Sequence, residues 1–148
     1  MQTRCYQIYT CGKMGGLTYS DQMNWRRMIE HEVNIRRNQS GVKFIHPPLF
    51  YNFEKKLHNS EYEVMEFDLA KVRESDILVV NLDEIDTSVG SCFEIATANA
   101  VNNFGNKHIF IIGIGDDESV HPWIKNSLSR CEKDIASAAE YMSAFLIT

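Results

Sequence analysis

No apolar run in the chain approaches the roughly 18 residues that a membrane-spanning helix requires. Prolines number only three, and no Pro-, Gly- or Ser-rich tract interrupts the sequence, which excludes a fibrous or linker-dominated chain. The four cysteines, Cys5, Cys11, Cys92 and Cys131, are scattered without C-x-x-C or Cys/His metal spacing. The opening Met1-Gln2-Thr3-Arg4-Cys5 lacks the apolar core of a signal peptide, so the expected setting is the cytoplasm, with reduced thiols. A basic surplus is also missing. The net charge of −5 argues against nucleic-acid binding, although a local loop can still accept a small anion. His31, His46, His58, His108 and His121 show no ligand spacing, and Gly115-Asp116-Asp117-Glu118 reads as an acidic turn without calcium-loop spacing. Neither a metal nor another cofactor is expected.

What is present suits one ordinary domain: 148 residues, 44% apolar, enough for a single core. Strands are expected at about Cys5–Thr10, Val42–His46, Asp76–Leu82 and Lys107–Gly113. The runs Ile77-Leu78-Val79-Val80 and Ile109-Phe110-Ile111-Ile112 are apolar without alternation, as in strands covered on both faces. Between them the periodicity predicts helices from Ser20 or Asp21 to about Arg37, with Trp25, Met28, Ile29 and Val33 inward, from Glu63 to Arg73, and from Ser91 to Asn103. Gln39-Ser40-Gly41 ends the first helix, and Pro47-Pro48 forces an extended exit into an aromatic loop, Phe50, Tyr51 and Phe53. Cys131, Ile135, Ala138, Met142 and Phe145 form a final helical stripe. Strands alternating with helices give an α/β, three-layer, doubly wound parallel sheet of four or five strands.

Three segments carry chemistry. After the third strand, Ser88-Val89-Gly90-Ser91-Cys92-Phe93-Glu94 places a carboxylate behind a glycine turn at a helix start, where open α/β sheets bind ligands. Ser91-x-x-Glu94 equally fits a capping box, and both readings stand on spacing alone. In the second helix Asp68 shares the stripe of Met65, Leu69 and Val72, an unusual place for a carboxylate that is neither paired nor functional. Two carboxylates around one crevice suit a nucleophile and a general acid, and attack on an anomeric carbon needs that pair without a metal. At the first strand's end, Tyr9-Thr10-Cys11-Gly12-Lys13-Met14-Gly15-Gly16 lets backbone approach a ligand, yet it is neither a P-loop nor G-x-G-x-x-G.

Ile8-Tyr9 with Gly12-x-Met14-Gly15-Gly16, Trp25-Arg26, Pro47-Pro48 with Tyr51, Asp68 before Val72-x-x-Ser75-Asp76, Gly90-Ser91-x-x-Glu94-Ile95-Ala96, and His121-Pro122-Trp123 resemble the nucleoside 2-deoxyribosyltransferase family. The resemblance runs in order from about residue 6 to 126. It implies a flavodoxin-like sheet with Glu94 as the nucleophile that takes the deoxyribosyl group. Asp68 would contact or protonate the base, and Tyr9 would hold the nucleophile. Gly12, Lys13, Met14, Gly15, Ser88 and Gly90 would bind substrate, a small nucleoside or nucleotide. A homo-oligomer, dimer or larger, is implied, in which Asn126 or Ser127 of a neighbouring subunit completes the site. Many transferases carry an aspartate where Ser88 stands, with Asp86 two residues back. Serine there resembles the related 2′-deoxynucleoside 5′-monophosphate N-glycosidases, where it contacts the phosphate, and Lys13 adds a charge for the same group. Deoxyribosyl transfer is the leading expectation, nucleotide hydrolysis the second, and a non-catalytic nucleotide-binding or sensor domain the third.

Overall fold

The computed structural model describes residues 4–37, 41–51 and 57–148. Phe53 and the Gln39-Ser40 stop therefore lie outside the described residues. Strand β1 (Cys5–Cys11), helix α1 (Tyr19–Arg36), β2 (Gly41–Ile45), α2 (Glu61–Glu74), β3 (Ile77–Asn81), α3 (Val89–Phe104), β4 (Phe110–Ile114), α4 (Pro122–Ser127), β5 (Arg130–Glu132) and α5 (Ile135–Tyr141) follow in order. The strands form one parallel sheet in the order β2-β1-β3-β4-β5. Helices cover both faces, so the fold is α/β and flavodoxin-like, as the sequence implies.

Alternation along the strands divides the core. Tyr9, Cys11, Leu78, Val80 and Ile111 face α2 and α3, packing on Val72, Ile95 and Ala98. Tyr6, Ile8, Val79 and Ile112 face α1 and α5, against Ile29, Val33, Ala138 and Met142. Each fully buried aliphatic side chain contributes roughly 1.5–3 kcal/mol relative to exposure, so the continuous apolar runs hold the sheet.

Several local expectations are corrected. Thr18, rather than Ser20 or Asp21, caps α1, its hydroxyl accepting from Asp21 N at 3.1 Å. Met28 is 55% exposed, because the buried stripe of α1 is Gln22, Arg26, Ile29 and Val33. Helix α2 starts at Glu61, two residues early, with Ser60 accepting from Glu63 N at 3.2 Å. Pro47 and Pro48 do not extend the chain but open a 3₁₀ turn, Pro47–Phe50, where a missing N–H at the first position costs nothing. The stripe from Cys131 is split. Cys131 pairs beside Gly113 in β5, and α5 begins at Ile135, capped by Asp134. A π turn, Met142–Leu146, then inserts a residue into the helical period and leaves Phe145 69% exposed.

Candidate active site

Strand β1 pairs with β2 on one side and β3 on the other, so the connections leaving β1 and β3 diverge at their carboxyl ends. That divergence opens a cleft of about 730 Å³. One wall is the glycine loop Gly12–Leu17, another the start of α3, and α2 with Tyr51 closes the third side. Within the loop, Leu17 N donates to Met14 O at 3.1 Å, and Gly16 holds φ +79° between them, a turn that glycine makes without strain. Gly12 has a different reason. A Cβ there would meet the Trp25 ring at 2.7 Å, so this glycine allows α1 to close on β1.

The first turn of α3 is Val89-Gly90-Ser91, the helix starting two residues ahead of the sequence expectation. Ser91 therefore does not cap the helix, and the capping-box reading of Glu94 is overturned. Ser88 occupies the N-cap without a side-chain bond to the helix backbone, its hydroxyl donating instead to Ser91 Oγ at 2.7 Å. The helix start is left with bare N–H groups and positive potential beside the cleft. Glu94 falls in the second turn and faces inward, only 8% exposed. Tyr9, at the end of β1, donates its hydroxyl to Glu94 Oε2.

Burial pushes the Glu94 carboxyl up from 4.5 to about 7; the Tyr9 hydrogen bond, Cys11 and Arg26 pull it down, and Asp68 pushes it further up. Burial, with Glu94 and Asp68 adding like charge, lifts the Tyr9 phenol far above its ordinary value, so it remains a donor. Asp68 lies four residues after buried Val64 and four before buried Val72, which turns it to the cleft. Its carboxyl rises from 3.8 to about 6 through burial, against a downward pull from His58. Two carboxyls with separated environments are thus brought to one cavity, one firmly anchored and one on the facing helix.

Lys13, Met14, Gly15, Ser88 and Gly90 all line the cleft beside Gly12. Gly15 and Gly90 have open space where a side chain would stand. Lys13 Nζ is 3.3 Å from Glu84 Oε1, so its charge is already shared. Asn126 and Ser127 are not brought to their own chain's cleft. They lie on α4, where Ser127 Oγ donates to Trp123 O at 2.7 Å and Trp123 is 80% exposed. Asp86 is turned away as well, accepting from His121 N at 3.0 Å. Among the described residues no group of three or more His, Cys, Asp or Glu is placed to hold a metal, and no helix is long and apolar enough to cross a membrane.

Sequence reasoning missed four groups as site residues. Gln22 is buried and lines the cleft, its amide donating to Met14 O at 3.0 Å and Leu17 O at 3.1 Å, which ties down both ends of the glycine turn. Arg26 is fully buried behind the same loop. Tyr51 and Glu61 line the rim, and burial together with Asp68 pushes the Tyr51 phenol up to about 12. The spacing of Gln22 and Arg26 with Ile29 and Val33 was the available signal, polar residues on an apolar stripe like Asp68.

No family model and no curated relative matches the chain. It is similar in fold to a conserved protein from Enterococcus faecalis V583, at 14% identity over 96% of this chain and 99% of that one, with a TM-score of 0.73. An NADH:FMN oxidoreductase in its apo form is similar at 13% identity over 96% of this chain and 87% of that one, TM-score 0.46. An FMN-dependent NADH-azoreductase from Bacillus anthracis str. Ames Ancestor, in complex with FMN, follows at 9% identity over 99% and 100%, TM-score 0.45. At these identities the likeness concerns the fold alone.

Proposed function

We propose that this chain is an enzyme that cleaves the N-glycosidic bond of 2′-deoxynucleosides and transfers the deoxyribosyl group to another base through an ester on Glu94. The observation that carries this reading is the buried Glu94 carboxylate, held by the Tyr9 hydroxyl and facing a cleft shared with Asp68. Glu94 attacks C1′ while the C1′–N bond breaks, and the departing base takes its electron pair and a proton from Asp68. An incoming base then attacks C1′, its proton passes to Asp68, and Glu94 leaves as carboxylate. Two inversions give net retention.

The charge of the cleft favours an unphosphorylated substrate. Its described lining holds Glu61, Asp68 and Glu94 against Lys13, which already faces Glu84. A second reading, hydrolysis of a 2′-deoxynucleoside 5′-monophosphate, draws on the bare N-terminus of α3 and the Ser88 hydroxyl beside it, a ready anion site. A homo-oligomer fits either reading: exposed Trp123 offers an apolar contact, and a second copy would supply Asn126 or Ser127.

Incubation with deoxynucleosides and deoxynucleotides, with and without an acceptor base, tests all of this. Transfer yields a new nucleoside only when acceptor is present. Hydrolysis releases base from the monophosphate without acceptor. Binding without any base release would overturn both readings and leave a sensor domain.

A further inference from the structure

Gln22 on α1 is 4% exposed and lines the cleft at the foot of the glycine loop. Both hydrogens of its amide are committed, to Met14 O at 3.0 Å and to Leu17 O at 3.1 Å. Its Oε1 is buried and meets no hydrogen-bond donor among the described residues. Turning the amide over would not cure this, because the oxygen would then face two carbonyl oxygens. A buried acceptor without a partner carries the full cost of its lost hydration, and the groups that escape pairing within a chain are met by water or a ligand.

Two glycines on the cleft walls point to a ligand rather than to the chain itself. Among the described residues, a Cβ at Gly15 or at Gly90 would meet nothing within 4 Å, and neither glycine holds a positive φ. Neither packing nor backbone strain therefore requires them. Gly90 moreover lies in the first turn of α3, where glycine is a poor helix former. Both residues line the same cleft as Gln22, one on the loop and one on the helix start, and a missing side chain there lets a ligand approach the backbone.

We infer that Gln22 is a specificity-determining residue whose Oε1 accepts a hydrogen bond from a hydroxyl of the substrate's sugar. This rests on the glycosyl-transfer reading above. With C1′ at Glu94 and the base at Asp68 on α2, the sugar extends away from α2, toward the glycine loop that Gln22 holds. Oε1 is too enclosed for a bulky group, and a lone hydroxyl is the smallest donor that the sugar carries. A deoxynucleoside offers two, on C3′ and C5′, whereas an ionised 5′-phosphate offers no donor at all. A site built around a hydroxyl rejects the analogue that lacks it, since the buried acceptor then stays unpaired.

Calorimetric binding to the Glu94→Ala protein, which holds a nucleoside without consuming it, tests this independently of turnover. The ligands are 2′-deoxyadenosine and thymidine, each with its 3′-deoxy and 5′-deoxy counterpart. Loss of the recognised hydroxyl is expected to raise Kd roughly tenfold or more, and the counterpart that shows the rise tells the 3′ oxygen from the 5′ oxygen. Adding Gln22→Met is expected to shrink that ratio to about threefold or less, because the acceptor is then missing for every ligand. A role confined to holding the loop would weaken all ligands alike and leave the ratio unchanged, which overturns the inference. Gln22→Glu keeps an oxygen acceptor but not both donors to the loop, and it is expected to preserve the ratio; a ratio as small as that of Gln22→Met overturns the inference. Should Gln22→Met not fold, Gln22→Leu takes its place. Binding by the Glu94→Ala protein with no dependence on either hydroxyl, or no binding of either nucleoside, overturns the inference without a further variant. Base release by the unsubstituted protein is followed separately: its absence, with the Gln22-dependent ratio intact, defeats the glycosyl-transfer reading and leaves the hydroxyl contact standing.

Discussion

Tyr9 at the carboxyl end of β1 donates its hydroxyl to Oε2 of Glu94 in the second turn of α3, so a strand and a helix jointly fix one carboxylate. A hydrogen bond to a charged acceptor in a low-dielectric site is stronger than one in water, and it limits the rotamers open to Glu94. Burial raises the carboxyl and the phenol together, which keeps the proton on Tyr9 and the negative charge on Glu94 whenever the pair shares one proton.

Glu94→Ala is expected to lower turnover by at least three orders of magnitude, as for loss of a covalent catalyst. Ser91 does not cap α3, so the substitution removes no cap, and the fold should persist by circular dichroism. Chromatography of released base checks the first point. Near-normal release from a folded Glu94→Ala protein would remove Glu94 from the mechanism.

Tyr9→Phe keeps the ring in the core and deletes only the donor. Charge-assisted hydrogen bonds of this kind contribute about 1.5–3 kcal/mol, so turnover should fall roughly 10- to 100-fold. The Tyr9 bond pulls the Glu94 pKa down, hence its loss should move the Glu94 titration to higher pH. Carbon-13 titration of the Glu94 carboxyl measures the direction, and a shift to lower pH would contradict the assigned bond.

How far the sequence carries this structure depends on the kind of signal each element emits. Strands β3 and β4 are legible because both faces are covered, leaving unbroken apolar runs such as Ile77-Leu78-Val79-Val80. Strand β5 is not. Arg130-Cys131-Glu132 is a three-residue edge with no apolar run, and Cys131 stands four residues before Ile135, which imitates a helical stripe. The pattern Ser91-x-x-Glu94 imitates a cap, whereas the helix takes its first turn from Val89, and the same pattern at Ser60-x-x-Glu63, where Ser60 does cap α2, went unread. In the site, Glu94 and Asp68 are legible as carboxylates at telling positions. Arg26 shares the stripe of Ile29 and Val33, yet an arginine in a helix resembles a surface charge, and only the three acceptors that enclose it show it buried.

Both active-site carboxyls lie above their ordinary values, Glu94 at about 7 and Asp68 at about 6. The folded chain thus holds protons that the unfolded chain releases from about pH 4 upward. Their contribution to stability is present at low pH and is lost as pH rises through about 6 to 7, costing ~3 kcal/mol at the buried Glu94. For catalysis Glu94 must be ionised and Asp68 protonated, the reverse of their titration order. The expected kcat/KM profile is a narrow bell centred between pH 6 and 7, whose limbs belong to the pair rather than to either group. Asp68→Asn should abolish the alkaline limb, and a profile flat from pH 5 to 8 would contradict the pairing.

Ser88→Asp separates the two substrate readings and has a structural readout of its own. Ser88 holds the N-cap of α3 without a side-chain bond to the helix backbone, so an aspartate there can accept from the bare N–H groups and meet the positive helix end. Stability should rise by about 1 kcal/mol, seen as a higher unfolding temperature. The same carboxylate would occupy and repel the place of a 5′-phosphate, with Lys13 already shared with Glu84 at 3.3 Å. If the phosphate sits at this helix start, deoxynucleotide turnover should fall by tenfold or more, about 1.4 kcal/mol, while deoxynucleoside turnover falls much less. A nucleoside transferase behaves differently: the unsubstituted protein prefers the unphosphorylated substrate, and Ser88→Asp is neutral or beneficial. A large, equal loss on both substrates would place Ser88 against the sugar rather than the phosphate and contradict both assignments of its role.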